Sequence, residues 1–197
     1  MSYTELYGFT KTGVESIGET RNAWRGAMAV WTFLEKKYLP KYRPSWARDD
    51  KMDYSRTCSG IGSKDDIKEI WDLFRSKKIS DSERIVMGST YDNVLVKVED
   101  IEKVLKAFRE FEGETSLKEQ ADIIEEALKE LPDIIAIGWN QTSVNGDTWT
   151  NTGGHDEVSG ESVPYNLETG AKHWFLIETI EREDFFDHPV NKDEISE

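Results

Sequence analysis

The chain has 197 residues, of which 37% are hydrophobic, with seven Trp, seven Tyr and eight Phe; this is enough apolar surface to form a core and argues against global disorder. Its single cysteine, Cys58, excludes an internal disulfide and a multi-cysteine zinc site, while the absence of a roughly 20-residue apolar run or a secretory signal leads to an expectation of a cytoplasmic protein without a membrane span. The net charge of −14 is uneven: residues 133–197 hold three Lys/Arg against fourteen Asp/Glu, a field that repels nucleic acid, attracts basic protein surfaces and also serves plain solubility.

In chain order, Trp24, Met28, Trp31 and Leu34 recur at helical spacing and predict a helix over 20–37, with Ser16-x-x-Glu19 as a capping box upstream and Pro40 and Pro44 as the stop. Ile67, Ile70, Trp71 and Phe74 predict a second helix, from about Ser63 to Lys77, with Asp65 and Asp66 in its first turn. The runs 84–90 and 94–98 read as two strands joined by a turn at Tyr91-Asp92-Asn93. A third helix carries Ile101, Val104, Leu105 and Phe108 and stops at Gly113. Ser116-x-x-Glu119 reads as the capping box of a fourth, whose stripe of Leu117, Ala121, Ile124, Leu128 and Leu131 ends at Pro132.

The short apolar run 133–139 predicts a buried strand at the centre of a sheet, and 173–180 a second strand, with a long loop over 150–171. The expected fold is α+β: a mainly antiparallel sheet with helices packed on one face, preceded by an N-terminal helical segment. One domain spans 1–197, made of a helical part (1–80), an α+β core (81–182) and an acidic tail (183–197).

Between the two strands of the core, Asn145-Gly146 is a strong signal for a type I′ hairpin turn, because both central residues need positive φ. Strand alternation around that turn places Asn140, Thr142, Trp149 and Asn151 on one face, and Trp139 and Gln141 on the other. The first set is either a polar binding platform around an aromatic, or a covered sheet face in which Trp149 fills a gap.

Other patterns resolve into ordinary structure. The glycine-rich stretch 57–66 precedes a helix, but its spacing is not that of a P-loop, and Asp65 and Asp66 oppose an anion. Cys58 lacks a nearby His or basic cluster to activate it. His155, Asp156 and Glu157, with His173 and His188 downstream, match no metal-site spacing, so no metal or cofactor is expected. The basic, aromatic stretch 36–48 has the chemistry of a single-strand binder, yet the rest of the chain is acidic, which disfavours direct nucleic-acid binding.

At Asn22-Ala-Trp-Arg-Gly-Ala-Met28 and Trp139-Asn-Gln-Thr-Ser-Val-Asn145 the chain resembles small, poorly characterised accessory proteins of phages and prophages of Firmicutes. The resemblance carries no catalytic residue; it implies a protein made in a bacterial host cytoplasm, with host takeover or counter-defence as its setting. Together with the acidity, the leading expectation is a non-enzymatic inhibitor of a host defence or regulatory protein, of anti-CRISPR or anti-restriction type, that mimics nucleic acid toward a basic nuclease groove. Glu181, Glu183, Asp184 and Asp187 are its expected contacts, weighing more than Asp122, Glu125, Glu126 and Glu130 of the fourth helix. The alternatives are a small-ligand site or enzyme on Asn140, Thr142, Trp149 and Asn151 with Asp147 or His155 nearby, which lacks an evident base and nucleophile pair, and a phage structural or assembly protein.

Overall fold

A computed structural model describes residues 3–11, 13–22, 25–39, 64–91, 93–141, 149, 158, 165–168, 170 and 173–182. Among these, five strands and six α-helices follow the order β1 (Tyr3–Phe9), β2 (Val14–Arg21), α1 (Ala27–Tyr38), α2 (Lys64–Arg75), α3 (Asp81–Gly88), β3 (Val94–Lys97), a 3₁₀ turn (Val98–Asp100), α4 (Ile101–Glu110), α5 (Leu117–Glu130), β4 (Ala136–Asn140), β5 (Trp174–Phe175) and α6 (Leu176–Glu181). The strands form one sheet in the order β2-β1-β4-β3-β5. All neighbours are antiparallel except β3 and β5. The fold is thus mixed α+β on a mostly antiparallel sheet, and β4 lies at its centre, where the apolar run 133–139 pointed.

Alternation along the strands sends Leu6, Val94, Val96, Ile137 and Trp139 into one core. That core draws Val30 and Leu34 from α1, Ile70 and Phe74 from α2, Val86 from α3, Val104 and Phe108 from α4, Ile124 from α5 and Leu176 from α6. The other face of the sheet carries a smaller cluster of Tyr7, Phe9, Leu95, Ala136, Trp149 and Tyr165.

Four local expectations are corrected. Residues 3–21, assigned to a helical N-terminal part, form a strand pair that joins the same sheet as β4 through Glu5–Asn140 to Phe9–Ala136 pairing. Ser16 and Glu19 therefore sit in β2 and cap nothing; α1 starts only at Ala27, after Gly26. The strand wins because β2 buries Thr20 against α5, and because a bulge fits at Ile17-Gly18, where Gly18 takes φ +156 and a Cβ would come within 2.8 Å of Ile123.

The run 84–90, expected as a strand, is mostly helix α3. Ser80 accepts from the Glu83 backbone while the Glu83 carboxylate accepts from the Ser80 backbone, a complete capping box. Arg84, 2% exposed, donates to the carbonyls of Phe74, Ser76 and Ile79 and so closes the end of α2 from within. Of the expected hairpin partners only β3 is a strand, entered through Asn93 at φ 60.

Ser116 is the N-cap of α5, but without a side-chain cap bond, because its hydroxyl donates to the Arg25 carbonyl instead and accepts from Gln120 and Thr20. Finally, 173–180 is a strand for two residues and then α6, since Leu176, Ile177 and Ile180 lie on one helical face and are buried by it. The Asn145-Gly146 turn and Trp24 lie outside the described residues.

Candidate functional site

On the sheet face opposite the large core, β1 presents Glu5, Tyr7 and Phe9, β4 presents Ala136, Gly138 and Asn140, and β3 presents Leu95. Gly138 is bare of necessity: a Cβ there would meet Leu95 Cδ2 at 2.6 Å and Phe9 Cε2 at 2.8 Å. Over this floor lies Trp149, with no exposed surface, edge-on to Phe9 at 5.0 Å and to Tyr165 at 5.3 Å between ring centroids. Its indole N–H donates to the Trp139 carbonyl at 3.0 Å, and its own carbonyl accepts from the Tyr165 amide at 3.1 Å.

The polar groups of this face are bonded to one another. Glu5 Oε2 accepts from the Tyr7 hydroxyl at 2.9 Å and from Asn140 Nδ2 at 3.2 Å. At the other side, Tyr165 Oη and His173 Nδ1 share a 2.7 Å hydrogen bond, and the His173 ring packs edge-on to Phe175 at 5.1 Å. Burial lowers the pKa of His173 below that of a free imidazole, favouring the neutral ring. Lys97 lies 4.9 Å above Phe175 and pairs with Glu178.

Of the residues expected to form a binding patch, Asn140 and Trp149 share this face, on the side opposite Trp139, which packs on Phe108 and donates to Gln120 Oε1 at 3.1 Å. Trp149 fills the floor and Asn140 is 4% exposed, bonded to Glu5. Thr142, Asn151, Asp147 and His155 lie outside the described residues. Glu5, Tyr7 and Tyr165 were not singled out beforehand. The signal for Glu5 and Tyr7 was present in Thr4-Glu5-Leu6-Tyr7-Gly8-Phe9, whose alternation is blurred because both faces of β1 are covered.

A second region of chemical interest is the end of the molecule where α4 begins and α5 finishes. Arg109 on α4 bonds Asp122 and Glu125 on α5, at 2.9 and 3.0 Å, and the Val98 amide donates to the Ile135 carbonyl, so the two helices run antiparallel with their 99–102 and 126–133 ends together. Glu99, Glu102, Glu126, Glu130 and Asp133 are exposed there, and no ion pair engages them among the described residues. Lys103 extends the region to α6, bonding Asp100 at 2.9 Å and Glu181 at 2.6 Å. Its hydrogen bonds to Glu181 and then Asp100 raise the Lys103 pKa, which keeps the ammonium charged. Glu181 is therefore exposed and already paired, while Glu183, Asp184 and Asp187 follow it in sequence outside the described residues.

Among the described residues no group of three His, Cys, Asp or Glu side chains is placed to hold a metal ion, and no helix is long and apolar enough to cross a membrane. No family model matches the chain, and neither a curated protein nor a solved structure matches it.

Proposed function

We propose that the protein is a non-enzymatic acidic binding protein that occupies the basic surface of a nucleic-acid-handling partner, a host defence nuclease in the phage setting that the sequence resemblance implies. The observation that supports this reading best is the acidic end. There Glu99, Glu102, Glu126, Glu130 and Asp133 stand exposed from two helices, Glu181 borders them through Lys103, and the sequence continues into Glu183, Asp184 and Asp187. Carboxylates presented this way meet a Lys/Arg groove where it expects phosphates, gaining steering and affinity that fall as salt rises. The second sheet face supports catalysis less well, because its carboxylate, phenols, amide and imidazole are engaged with one another.

The test is inhibition and binding measured against a panel of purified bacterial restriction and CRISPR nucleases at low and high salt. Two charge reversals to Lys are compared, one of Glu126, Glu130 and Asp133, the other of Glu181, Glu183, Asp184 and Asp187. Each is expected to weaken binding at least about tenfold, equivalent to ~1.4 kcal/mol. A control reversal of Glu112, Glu114 and Glu119, at the opposite end of the α4–α5 pair, leaves it near the parent. A parent that binds no member of the panel at low salt, or reversals that behave like the parent, sinks the reading and brings forward the small-ligand alternative.

A further inference from the structure

Among the described residues three large hydrophobic side chains stand exposed: Leu131, Ile135 and Val158. Two of them belong to the acidic end. Leu131 is 37% exposed where α5 finishes and Ile135 is 39% exposed just before β4, with exposed Pro132 and Asp133 in between. Main-chain bonds fix this turn in place. The Leu131 amide donates to the Ala127 carbonyl at 2.8 Å, the Leu131 carbonyl accepts from the Ile134 amide at 3.2 Å, and the Ile135 amide donates to the Phe9 carbonyl at 2.7 Å. The Ile135 carbonyl accepts from the Val98 amide, which sets Ile135 beside the 3₁₀ turn that carries Glu99 and Asp100. Ile134, by contrast, is 5% exposed and lies against Gly8, so the turn divides its apolar residues between core and surface.

The charge about this apolar centre is negative: Glu99, Glu102, Glu126, Glu130 and Asp133 are exposed on the same helix ends, with Lys129 interspersed. An apolar centre with a charged rim is the anatomy of a protein interface, the centre supplying most of the affinity and the rim the steering. A second copy of this chain would set carboxylate against carboxylate, which excludes it as the occupant. Nucleic-acid grooves differ in what they offer such a surface. A duplex is met through its phosphates and the hydrogen-bonding edges of its bases. A single strand is met by Lys and Arg interleaved with aromatic faces on which the bases stack. Carboxylates answer the cations of either groove, whereas Leu131, Pro132 and Ile135 answer the aromatic faces, which belong to the single-strand groove.

We infer that the partner surface covered by the acidic end is a single-strand nucleic-acid groove, with Leu131 and Ile135 packed on its base-stacking aromatics and the flanking carboxylates on its Lys and Arg side chains. The inference rests on the acidic-end reading and narrows its partner class. It is tested with a nuclease of the panel that binds the parent at low salt. Leu131→Gln with Ile135→Thr removes apolar surface and no charge; should the pair unfold, Leu131→Gln alone carries the same test. Binding is expected to weaken about tenfold or more at every salt concentration, as for loss of a central apolar contact. The slope of log Kd against log salt should stay that of the parent, because it reports charges, while the reversal of Glu126, Glu130 and Asp133 changes it. A single-stranded oligonucleotide should displace the parent from the nuclease, and a duplex of the same length at the same concentration should not. Displacement by the duplex overturns the inference and leaves the acidic-end reading standing, as does a double variant that binds like the parent while the triple reversal is weakened. A parent that binds no nuclease of the panel overturns both.

Discussion

The two faces of the sheet are held by different means. The helix side distributes burial over side chains from six helices, and its polar groups form a relay from Trp139 to Gln120 to Ser116 to Thr20, with Gln141 bridging Thr4 and the Ser89 carbonyl. Among the described residues the second face has six buried hydrophobic residues, of which one, Trp149, comes from a segment largely outside the described residues and touches both the floor and Tyr165. A ring removed from a densely packed core leaves a cavity that its many neighbours do not fill, whereas a face closed by one large ring loses its cover as a whole. Trp149 and Trp139 are joined across the sheet by one hydrogen bond, so the two faces can be weighed against each other by truncating one ring at a time.

The largest effect is expected for Trp139→Ala, about 3–5 kcal/mol in urea unfolding, because the variant leaves a large core cavity and removes the donor to the buried Gln120 amide oxygen. Trp149→Ala belongs in the same range, because this ring is fully buried between Phe9 and Tyr165. Trp149→Phe, which keeps a ring but not the bond to the Trp139 carbonyl, should cost closer to 1 kcal/mol. A Trp149→Ala variant as stable as the parent breaks the comparison and returns this ring to recognition.

The smallest effect sharpens the comparison from the edge of the second face. Burial lowers the pKa of His173 in the folded protein, so as pH falls the unfolded chain takes up a proton first. The associated stability is complete above about pH 6.5 and declines as pH falls through that value toward the lower folded pKa. His173→Gln should lose less stability than the parent between about pH 7.5 and 5.5, measured by urea unfolding at each pH. Identical pH dependence in the two proteins contradicts the burial of this ring.

The legible parts of the fold were those where one physical signal acted alone. The stripe Ile101, Val104, Leu105 and Phe108 became α4, and the apolar run before Asn140 became the central strand, because each is long or apolar enough to fix its own state. Where signals competed, tertiary contacts decided. The Ser16-x-x-Glu19 pattern lost to pairing with β1, while the equivalent Ser80-x-x-Glu83 pattern, overlooked beside the β-branched residues that follow, is a working capping box. Trp139 and Trp149 lie on opposite faces as strand alternation about the Asn145-Gly146 turn expected, but that hairpin lies outside the described residues and Trp149 stands in a turn, so its position does not rest on strand parity. The Glu5 contact to Asn140 was not readable, since it joins residues 135 apart through a register that no local pattern specifies.

The central functional claim is that the acidic end, and not the second sheet face, meets the partner. The direct measurement is amide hydrogen exchange of the protein, free and saturated with whichever nuclease of the panel binds it. The account predicts new protection at residues 99–103, 126–133 and 178–182, with residues 5–9, 136–140 and 165–175 exchanging as in the free protein. Protection confined to the second-face segments, with the acidic end unchanged, contradicts it.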